Sequence, residues 1–533
     1  MHFNPLPGEY FAKRSISYKC PFIDIYAYLT QQIHVARIKR RVHHHIESLA
    51  KEEKEENVNK KKFTIVFGSL MVVAVFLTAC GGTPSEPQVI VQTVVVPGEP
   101  VSETIEIEVD VPDFPEGTEL NVLQWSHFVP QYDVWIDPFA EAWGDANGVD
   151  VTVDHIALGE LPAALTAAID AGAGPSLVEM VFAPGQFVEG LHDLTDLNMQ
   201  AQELFGPQAP TCSASSYLPA TDTWYGYCPG WIPDPANYVI DKWDAVGYPN
   251  GPTTWADLLD GGRKIKAQFG LPMGLGMSPE LDSRMAMRAI IWSHGGSVQD
   301  ENECVVLNSP ETIEAVNYAA ELYKNTMTEE VFAWVPASNN QGLIAGELSY
   351  ILNSISAYRS TQDIDPEAAD NIGFGPALIG PRGDQHASAH VWQIYVIPNY
   401  VEGAELEAAK AYLLHLTANY NQAVFNSKLY NFPAFDSTVP QLAGWLEQDP
   451  FGSRPADKLK VLETAQDWVT YLGYPGPSNP AIGEVFGSNI IVTMMAQVAQ
   501  GDKTAEESVS DAEIQVEAIF DKWRDLGLVG CTN

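Results

Sequence analysis

Residues 119–182 read ELNVLQWSHFVPQYDVWIDPFAEAWGDANGVDVTVDHIALGELPAALTAAIDAGAGPSLVEMVF, and their pattern decides the fold. Apolar and polar residues alternate around Val151, and an apolar run ends at Trp125, as in two half-buried strands. Residues 177–182 form a third apolar run. Helical stretches at 138–143 and 161–171 separate these runs. Because strands and helices alternate, the segment predicts a largely parallel sheet covered by helices.

The rest of the chain adds strands and helices with clear start signals. Residues 348–353 and 391–398 read as strands on either side of a loop rich in Gly and Pro. Ser309 before Pro310 predicts a helix start, and Thr504 with Glu507 forms the capping box of a last amphipathic helix. The whole pattern favours an α/β protein with two lobes over one large sheet.

Size and charge limit the classes of function. The chain has 533 residues, 46% of them hydrophobic, which is too long for one core. Residues 1–79 hold 12 of the 29 Lys and Arg but 7 of the 69 Asp and Glu, so residues 80–533 carry a net charge of about −45. Such a field repels nucleic acid and polyanions. We therefore expect no nucleic-acid partner.

A short apolar segment near the N-terminus predicts export. Three lysines at 60–62 precede the apolar run 63–77, and residues 77–80 read LTAC, which is similar to a bacterial lipobox. The run is shorter than the ~20 apolar residues of a membrane span, which makes a retained helix the weaker interpretation. In the proteins it resembles, the cysteine, here Cys80, carries the lipid. The alternative is a chance cysteine after an ordinary signal.

These signals divide the N-terminal part of the chain into three segments. Residues 58–79 are the predicted lipoprotein signal peptide, and residues 80–118, rich in Pro, Val, Glu and Thr, are a flexible linker behind the anchor. Residues 1–57 form an N-terminal extension whose start we interpret as misassigned, with translation beginning near Val58. The mature protein is then expected at the outer face of the cell membrane, held by its lipid.

Four cysteines remain for the folded part. In an exported protein, Cys212 is expected to pair with Cys228, and Cys304 with Cys531. The alternative is four buried thiols.

Several motifs occur in a characteristic order along residues 119–528. They are VIDK at 239–242 with PTTWADLL at 252–259, WSHGG at 292–296, NSPE at 308–311, AGELSYILN at 345–353, two Gly-Pro pairs at 375–376 and 380–381, and GDKTAEE at 501–507. In this order the chain resembles the family 1 extracellular solute-binding proteins, which include maltose-binding protein. The resemblance implies a two-lobed periplasmic-binding-protein fold of type II that encloses its ligand by hinge closure.

The resemblance also supplies expected lobe boundaries. One lobe comprises residues 119–238 and 392–436, and the other comprises 242–390 and 437–530. The first hinge is expected near 237–241 and the second near 391–396. Partners implied by the family are the permease subunits of an ABC importer, and the protein is expected to work as a monomer, because lobe closure needs no second copy.

A sugar site needs aromatic planes for stacking and fixed hydrogen-bonding groups, so residues of both kinds at strand ends are candidates. Asp234 and Asn353 match family positions, whereas Ser356 stands where maltose-binding protein has a stacking tryptophan, a role that Tyr358 is expected to take. His390 stands where many relatives have glycine, and His127 follows Trp125. The candidate ligand-binding residues are Trp125, Ser126, Phe182, Trp231, Asp234, Asn237, Asn353, Tyr358, Trp392 and Phe486.

Other interpretations stay open. Each of these aromatic residues alone is as readily explained by core packing. No nucleophile, phosphate-loop, zinc or dinucleotide motif is present, so no enzyme, metal or cofactor is expected. The alternatives are a secreted glycoside hydrolase whose carboxylate pair is hidden among 62 acids, and a binding protein for a non-sugar solute. For the arginines that could clamp an anion, pairing with surface acids is the expectation: Arg284, Arg288, Arg359 and Arg382.

Overall fold

The computed structural model of the protein describes residues 111–531 together with two short strands before them. The predicted N-terminal extension, the signal peptide, Cys80 and most of the linker lie outside the described residues. Residues 84–533 belong to one compact unit.

The described strands are short apart from four, which belong to the larger sheet. In chain order the strands are β1 (Gln88–Val91), β2 (Glu106–Val109), β3 (Thr118–Trp125), β4 (Val149–Ile156), β5 (Leu177–Met180), β6 (Tyr217–Leu218), β7 (Thr223–Trp224), β8 (Tyr227–Pro233), β9 (Ala236–Val239), β10 (Tyr350–Leu352), β11 (Ile372–Gly375), β12 (Ala387–Val396), β13 (Phe432–Pro433) and β14 (Val469–Thr470). The four longer strands are β3, β4, β8 and β12, which have seven to ten residues.

The α-helices pack on both sheets and on each other. They are α1 (Gln131–Asn147), α2 (Leu161–Ala171), α3 (Thr195–Phe205), α4 (Pro210–Ser216), α5 (Ile240–Ala245), α6 (Trp255–Phe269), α7 (Leu281–Ser293), α8 (Pro310–Thr326), α9 (Ser338–Ile344), α10 (Ser356–Ile364), α11 (Pro366–Asp370), α12 (Gly403–Ala418), α13 (Tyr420–Asn426), α14 (Leu442–Glu447), α15 (Ala465–Trp468), α16 (Pro480–Gly487), α17 (Ile490–Gln500) and α18 (Ala505–Asp525).

The larger sheet has seven strands in the order β13-β8-β12-β5-β3-β4, with β14 beside β12. β3 runs parallel to β4 and to β5, as the alternating pattern of residues 119–182 predicts. β12 runs antiparallel to β5 and β8, which makes the sheet mixed. The parallel strands therefore end at one edge of the sheet, where ligands bind in open α/β sheets.

The smaller sheet has three antiparallel strands in the order β10-β9-β11. The chain leaves the larger sheet at Pro233 and enters the smaller one at Ala236, and it returns through residues 376–386. Two sheets joined by two crossings fit the predicted two-lobed α/β fold. The first crossing is Asp234-Pro235, so it precedes the predicted hinge at 237–241, which lies in β9 and α5. The second predicted hinge, at 391–396, lies inside β12 of the larger sheet.

Local signals predicted the starts of helices more accurately than the lengths of helices and strands. The Ser309 hydroxyl accepts a hydrogen bond from the Thr312 amide, and Thr504 and Glu507 form the predicted capping box. The helix predicted at 138–143 is part of α1, which is much longer. Pro138 lies within α1 and does not end it. The strand predicted at 348–353 is confined to Tyr350–Leu352.

Covalent links tie distant parts of the fold together. The structure contains disulfides between Cys212 and Cys228 and between Cys304 and Cys531. The second bond holds the end of the chain to the turn at residues 300–303, where the Gly530 amide also donates to Glu303 Oε2 at 2.7 Å.

Among the described residues, no single helix has the length and composition of a membrane span. α16 and α17 meet these criteria only when taken together, across a bend of 41°.

The interior of the larger sheet is packed closely enough to exclude one extra methyl group. A Cβ on Gly230 of β8 would lie 1.6 Å from the Tyr420 hydroxyl oxygen and 2.7 Å from the Phe432 carbonyl oxygen. Tyr420 is fully buried on α13, and its hydroxyl donates to Gln393 Oε1. The ring therefore has no free direction in which to move.

We predict that Gly230→Ala lowers the free energy of unfolding by ~3 kcal/mol, the upper range of overpacking effects, because Tyr420 would have to leave its hydrogen bond. Urea denaturation measures it. The matched control is Gly444→Ala in α14, where a Cβ meets no atom within 4 Å. The control is expected to be neutral or slightly stabilising. Equal stabilities of the two variants would contradict the close packing.

Candidate functional site

An aromatic stack begins at the carboxyl end of β3. Trp125 ends the strand, and its ring stacks on His127 with centroids 4.4 Å apart. His127 in turn stacks on Tyr132 of α1 at 4.3 Å. Burial lowers the pKa of His127 to about 3, so its ring is neutral near pH 7. The stack therefore places flat, uncharged rings, all at most 4% exposed, at the edge where the parallel strands end.

A buried carboxyl group lies in the sheet beside this stack. Glu179 of β5 is fully buried, and Gln393 Nε2 of β12 donates to its Oε1 at 3.1 Å. Its Oε2 atom has no hydrogen-bond partner among the described residues. Burial raises the pKa of Glu179 to about 8. The group is therefore a neutral acid at neutral pH, and it can donate a hydrogen bond.

Polar side chains from both sheets meet where the chain crosses between them. Asp234 lies in the first crossing, and its Oδ1 is 3.3 Å from Nδ1 of His390 on β12. Asn353, directly after β10, donates through Nδ2 to Oδ2 of Asp282 on α7 at 3.0 Å. The His390 ring lies 6.3 Å from that of Tyr430. We call Asp234, Asp282, Asn353, His390 and Tyr430 the central polar cluster.

The central polar cluster is buried, yet part of its hydrogen-bonding capacity is not used by the protein. All five side chains are at most 5% exposed. His390 Nε2 and Asp282 Oδ1 have no partner among the described residues, and the same holds for Oδ1 of the neighbouring Asn237. A buried polar atom without a partner costs ~1–3 kcal/mol. A ligand with hydroxyl groups can satisfy such atoms, since a hydroxyl both donates and accepts.

The charges in this cluster depend on one another. Burial raises the pKa of Asp234. Burial also raises the pKa of Asp282 well above its usual range, and the nearby Glu280 carboxylate adds to this. Burial alone would lower the pKa of His390, but the hydrogen bond with Asp234 and the surrounding acids raise it. The cluster thus combines acceptors, a donor and few net charges.

Several predicted residues come together here. Asn237 Nδ2 donates to the Asn353 carbonyl oxygen at 2.6 Å, which joins β9 to the end of β10 beside Asp234. Phe182, two residues after β5, contacts Phe486 of α16 with centroids 5.2 Å apart. Trp125 belongs to the aromatic stack. Ser126 next to it is exposed, unlike the other nine predicted residues.

Other predicted residues serve packing elsewhere. Trp231 packs on Phe432, donates through Nε1 to the Pro433 carbonyl and lines a separate cavity of about 360 Å³ with residues 436–467. Trp392 donates to Thr211 Oγ1 at 2.7 Å. Tyr358 on α10 donates to Ser453 Oγ and contacts Phe374, so the structure does not bring it to the place of a stacking tryptophan. Trp231 and Trp392 are cross-strand partners on β8 and β12, which places both on one face of the larger sheet, whereas the direction of Tyr358 depends on the phase of α10.

Three members of the cluster were missing from the candidate ligand-binding residues: His390, noted only because it replaces a glycine of relatives, and two residues without a local signal. Asp282 follows Glu280, the N-cap residue of α7, and reads as an ordinary helix-start acid. Tyr430 follows α13 in a stretch without a strand or helix signal. Only the tertiary fold brings them beside Asp234, so a local pattern does not identify them.

Comparison with known proteins gives one family match. The family model described as bacterial extracellular solute-binding protein matches residues 135–450. No curated protein matches the chain by sequence.

Three solved structures are similar in fold. Maltose-bound MalE3 of T. maritima is 19% identical, with a TM-score of 0.63 over 76% of this chain and 100% of that one. The ABC transporter solute-binding protein of Agrobacterium radiobacter in complex with ribitol is 18% identical, with a TM-score of 0.63 over 76% and 99%. The sugar transporter of Arthrobacter chlorophenolicus with laminaribiose is 16% identical, with a TM-score of 0.62 over 75% and 99%. At these identities the likeness establishes the fold.

The raised pKa of Glu179 predicts a pH-dependent stability. Below pH 4.5 the group is protonated in both states and contributes no difference. Between pH 4.5 and about 8 the unfolded chain releases the proton and the folded one keeps it, so the native state loses up to ~1.4 kcal/mol of stability per pH unit from this group. Glu179→Gln removes this loss.

The free energy of unfolding of Glu179→Gln minus that of the unchanged protein should therefore rise from pH 4.5 to 8 and level off above. Urea denaturation at several pH values measures the difference, which cancels the titration of all other groups. The control is Glu321→Gln on the exposed side of α8. A difference that does not change with pH would mean that Glu179 is ionised in the folded protein.

Proposed function

The chain belongs to the bacterial extracellular solute-binding proteins, and from this premise we propose that it captures a sugar or oligosaccharide for an ABC importer. The observation that carries the proposal is the central polar cluster, in which buried donors and acceptors from both sheets converge without using their full bonding capacity. Polyhydroxylated ligands satisfy many such groups at once. Rings at the same strand ends, led by Trp125, supply the stacking surface that a sugar needs.

Hinge closure is the proposed mechanism. We assign the larger sheet, residues 119–233 with 387–433, to one lobe and the smaller sheet, residues 236–375, to the other, which moves the lobe boundaries from the predicted 238 and 392 to the two crossings. Two chain crossings between the sheets allow a small rotation at Asp234 and Pro235 and at residues 376–386, which would open and close the space around the cluster. Because Asp234 lies in the first crossing and Asp282 on the far side, a ligand that contacts both favours the closed form.

A binding role is favoured over catalysis. The family consists of binding proteins, and three structural neighbours are named with maltose, ribitol and laminaribiose, which are all rich in hydroxyl groups. A glycoside hydrolase would need two carboxyl groups placed on either side of the scissile bond. We propose that Asp234 and Asp282 act instead as hydrogen-bonding partners, because both are buried within polar networks of the protein.

Placement outside the cytoplasm follows from the family, and we propose that a lipid on Cys80 holds the protein at the outer face of the membrane. The Pro-rich residues 80–118 would then act as the tether. The partners are the permease subunits of an importer. A single copy suffices, because both sheets of the site come from one chain.

Ligand binding should be visible as stabilisation of the purified full-length protein. A sugar at 100 times its Kd adds ~2.7 kcal/mol to the free energy of unfolding, which a thermal-shift screen of mono- and oligosaccharides, polyols, amino acids and peptides would detect. Asp234→Asn should weaken the binding of the best sugar at least tenfold, since it removes a buried acceptor next to His390. Isothermal titration calorimetry gives both Kd values.

The matched control is Asn317→Ala, an exposed residue of α8 that bonds only to its own helix. It should leave the Kd unchanged. If amino acids or peptides stabilise the protein and no sugar does, the sugar proposal is wrong and the ligand is a non-sugar solute. If the protein releases reducing ends from an oligosaccharide, it is a glycoside hydrolase and the binding proposal is wrong.

The lipid anchor has its own test in a bacterial host. With the natural Cys80, the protein should incorporate labelled palmitate and sediment with membranes, and Cys80→Ser should abolish the label and release the protein. Ser85→Ala is the control, because Ser85 lies in the predicted linker behind the anchor. Labelling that survives in Cys80→Ser would refute the anchor while leaving the sugar site untouched.

A further inference from the structure

The structure separates the four arginines that the sequence suggested as anion clamps. Arg359 forms a buried ion pair with Asp449 at 2.8 Å, and Arg382 forms an exposed one with Glu314 at 2.7 Å. Arg284 and Arg288 of α7 form no ion pair among the described residues. The expectation that all four pair with surface acids is therefore wrong for Arg284 and Arg288, whose helix is buried on nearly every side, and for Arg359, whose partner acid is itself buried.

Arg288 is a buried cation with unused donors. The residue is 5% exposed, and its Nη1 atom donates to the Arg284 carbonyl oxygen at 3.1 Å. Its Nε and Nη2 atoms have no protein partner within the described residues. The guanidinium lies over the Phe486 ring, with Cζ 4.7 Å from the centroid. This stacking stabilises a cation only in part, because it leaves the in-plane donors free.

Arg284 stands beside it on the same face of the helix. Its Nε donates to Asn489 Oδ1 at 2.7 Å, and its Cζ lies 5.4 Å from the same Phe486 ring. Burial and the neighbouring Arg284 lower the pKa of Arg288 to about 9, which still leaves it charged near pH 7. The nearby acid is Glu280, whose two oxygens accept from the backbone amides of Ser283 and Asp282. Two cations thus share one ring without a carboxylate partner.

Two neighbouring arginines without an acid partner are unusual in a chain as acidic as this one. With 69 acids and 29 basic residues, a basic side chain has an acid available almost everywhere on the surface. A buried charge is costly unless an opposite charge or hydrogen bonds compensate it. A structural role would be served by pairing, as in Arg359 with Asp449. The pair at 284 and 288 is arranged instead for an anion that comes from outside the protein.

The pair also adjoins the proposed ligand site. Phe486, on which both cations lie, contacts Phe182 just beyond the carboxyl end of β5. Asp282 of the central polar cluster belongs to the same helix, six residues before Arg288, which is about 9 Å along the axis and about a third of a turn around it. One ligand of two or more sugar rings spans that distance. Its neutral part would lie at the cluster and its charged group at the arginines.

We propose that Arg288, with Arg284 beside it, binds the carboxylate of an acidic sugar, so that the ligand is a uronate or an oligosaccharide containing one. The inference rests on the proposed sugar-binding function and names its substrate class. A carboxylate matches the free in-plane donors of Arg288 in geometry and supplies the single negative charge that the site lacks. Neutral sugars of the same size leave Arg288 unpaired.

The test is isothermal titration calorimetry on the full-length protein at low salt with matched pairs of sugars. The pairs are galacturonate with galactose, glucuronate with glucose, and cellobiouronate, which carries one carboxylate, with cellobiose. We expect the acidic member of at least one pair to bind tenfold or more tightly than its neutral partner. In Arg288→Gln the Kd values of the acidic and the neutral sugar should differ by no more than about threefold. Arg288→Lys should restore part of the preference for the acidic sugar. The control Arg382→Gln, an exposed and paired arginine, should leave both Kd values unchanged.

Thermal denaturation without any ligand gives a second readout that does not depend on the choice of sugar. Arg288→Met removes an unpaired buried charge and keeps the apolar stem over Phe486, so its Tm should equal or exceed that of the unchanged protein. Neutral sugars that bind without any preference for acidic ones would overturn the inference and leave the proposed function standing. Binding of no sugar at all would overturn both. If Arg288→Met has a lower Tm and loses affinity equally for acidic and neutral sugars, Arg288 is a structural residue and the inference is wrong.

Discussion

Desolvation of polar groups at the crossing between the two sheets is the constraint on which the other features of the site depend. Asp234 and His390 are removed from water, 3.3 Å apart, where the chain leaves the larger sheet between two prolines. A carboxyl group in such a place costs free energy unless its partners compensate it. His390 compensates from one side, while Asp282 and Asn353 bring further polar groups from the other. The arrangement holds together only while both sheets keep these groups enclosed, which couples the polar chemistry to the relative position of the sheets.

The aromatic stack reduces the cost of this enclosure on the side of the larger sheet. Trp125, His127 and Tyr132 place flat rings over the end of β3, and Glu179 lies beneath them as a neutral acid. An ionised glutamate there would add a negative charge near Asp133, the acid that acts on Glu179. Keeping the proton on Glu179 limits that repulsion.

Local rules predicted the scaffold well and the site only in part. The alternating pattern in residues 119–182 identified the parallel strands, and the caps at Ser309 and Thr504 were found because capping depends on neighbours three residues apart. Asp234, Asn237 and Asn353, three of the candidate residues, lie close together. Trp231 and Tyr358 do not join them, because the direction of a side chain depends on strand register and helix phase. Asp282 joins through the packing of α7 on β12, which no local signal contains.

The large negative charge of the protein does not conflict with an acidic ligand. At physiological ionic strength, charges more than ~8 Å apart are largely screened, so the distant surface acids act mainly on the approach of the ligand. Long-range repulsion slows association, whereas affinity is determined mostly by how slowly the bound state dissociates. Inside the enclosed site the relevant charges are the close ones, namely two arginines over one ring without an acid partner. A ligand with one carboxylate meets a weak repulsion outside and a strong, poorly screened attraction within. A polyanion would meet a much larger repulsion, and this pair of arginines could neutralise little of its charge.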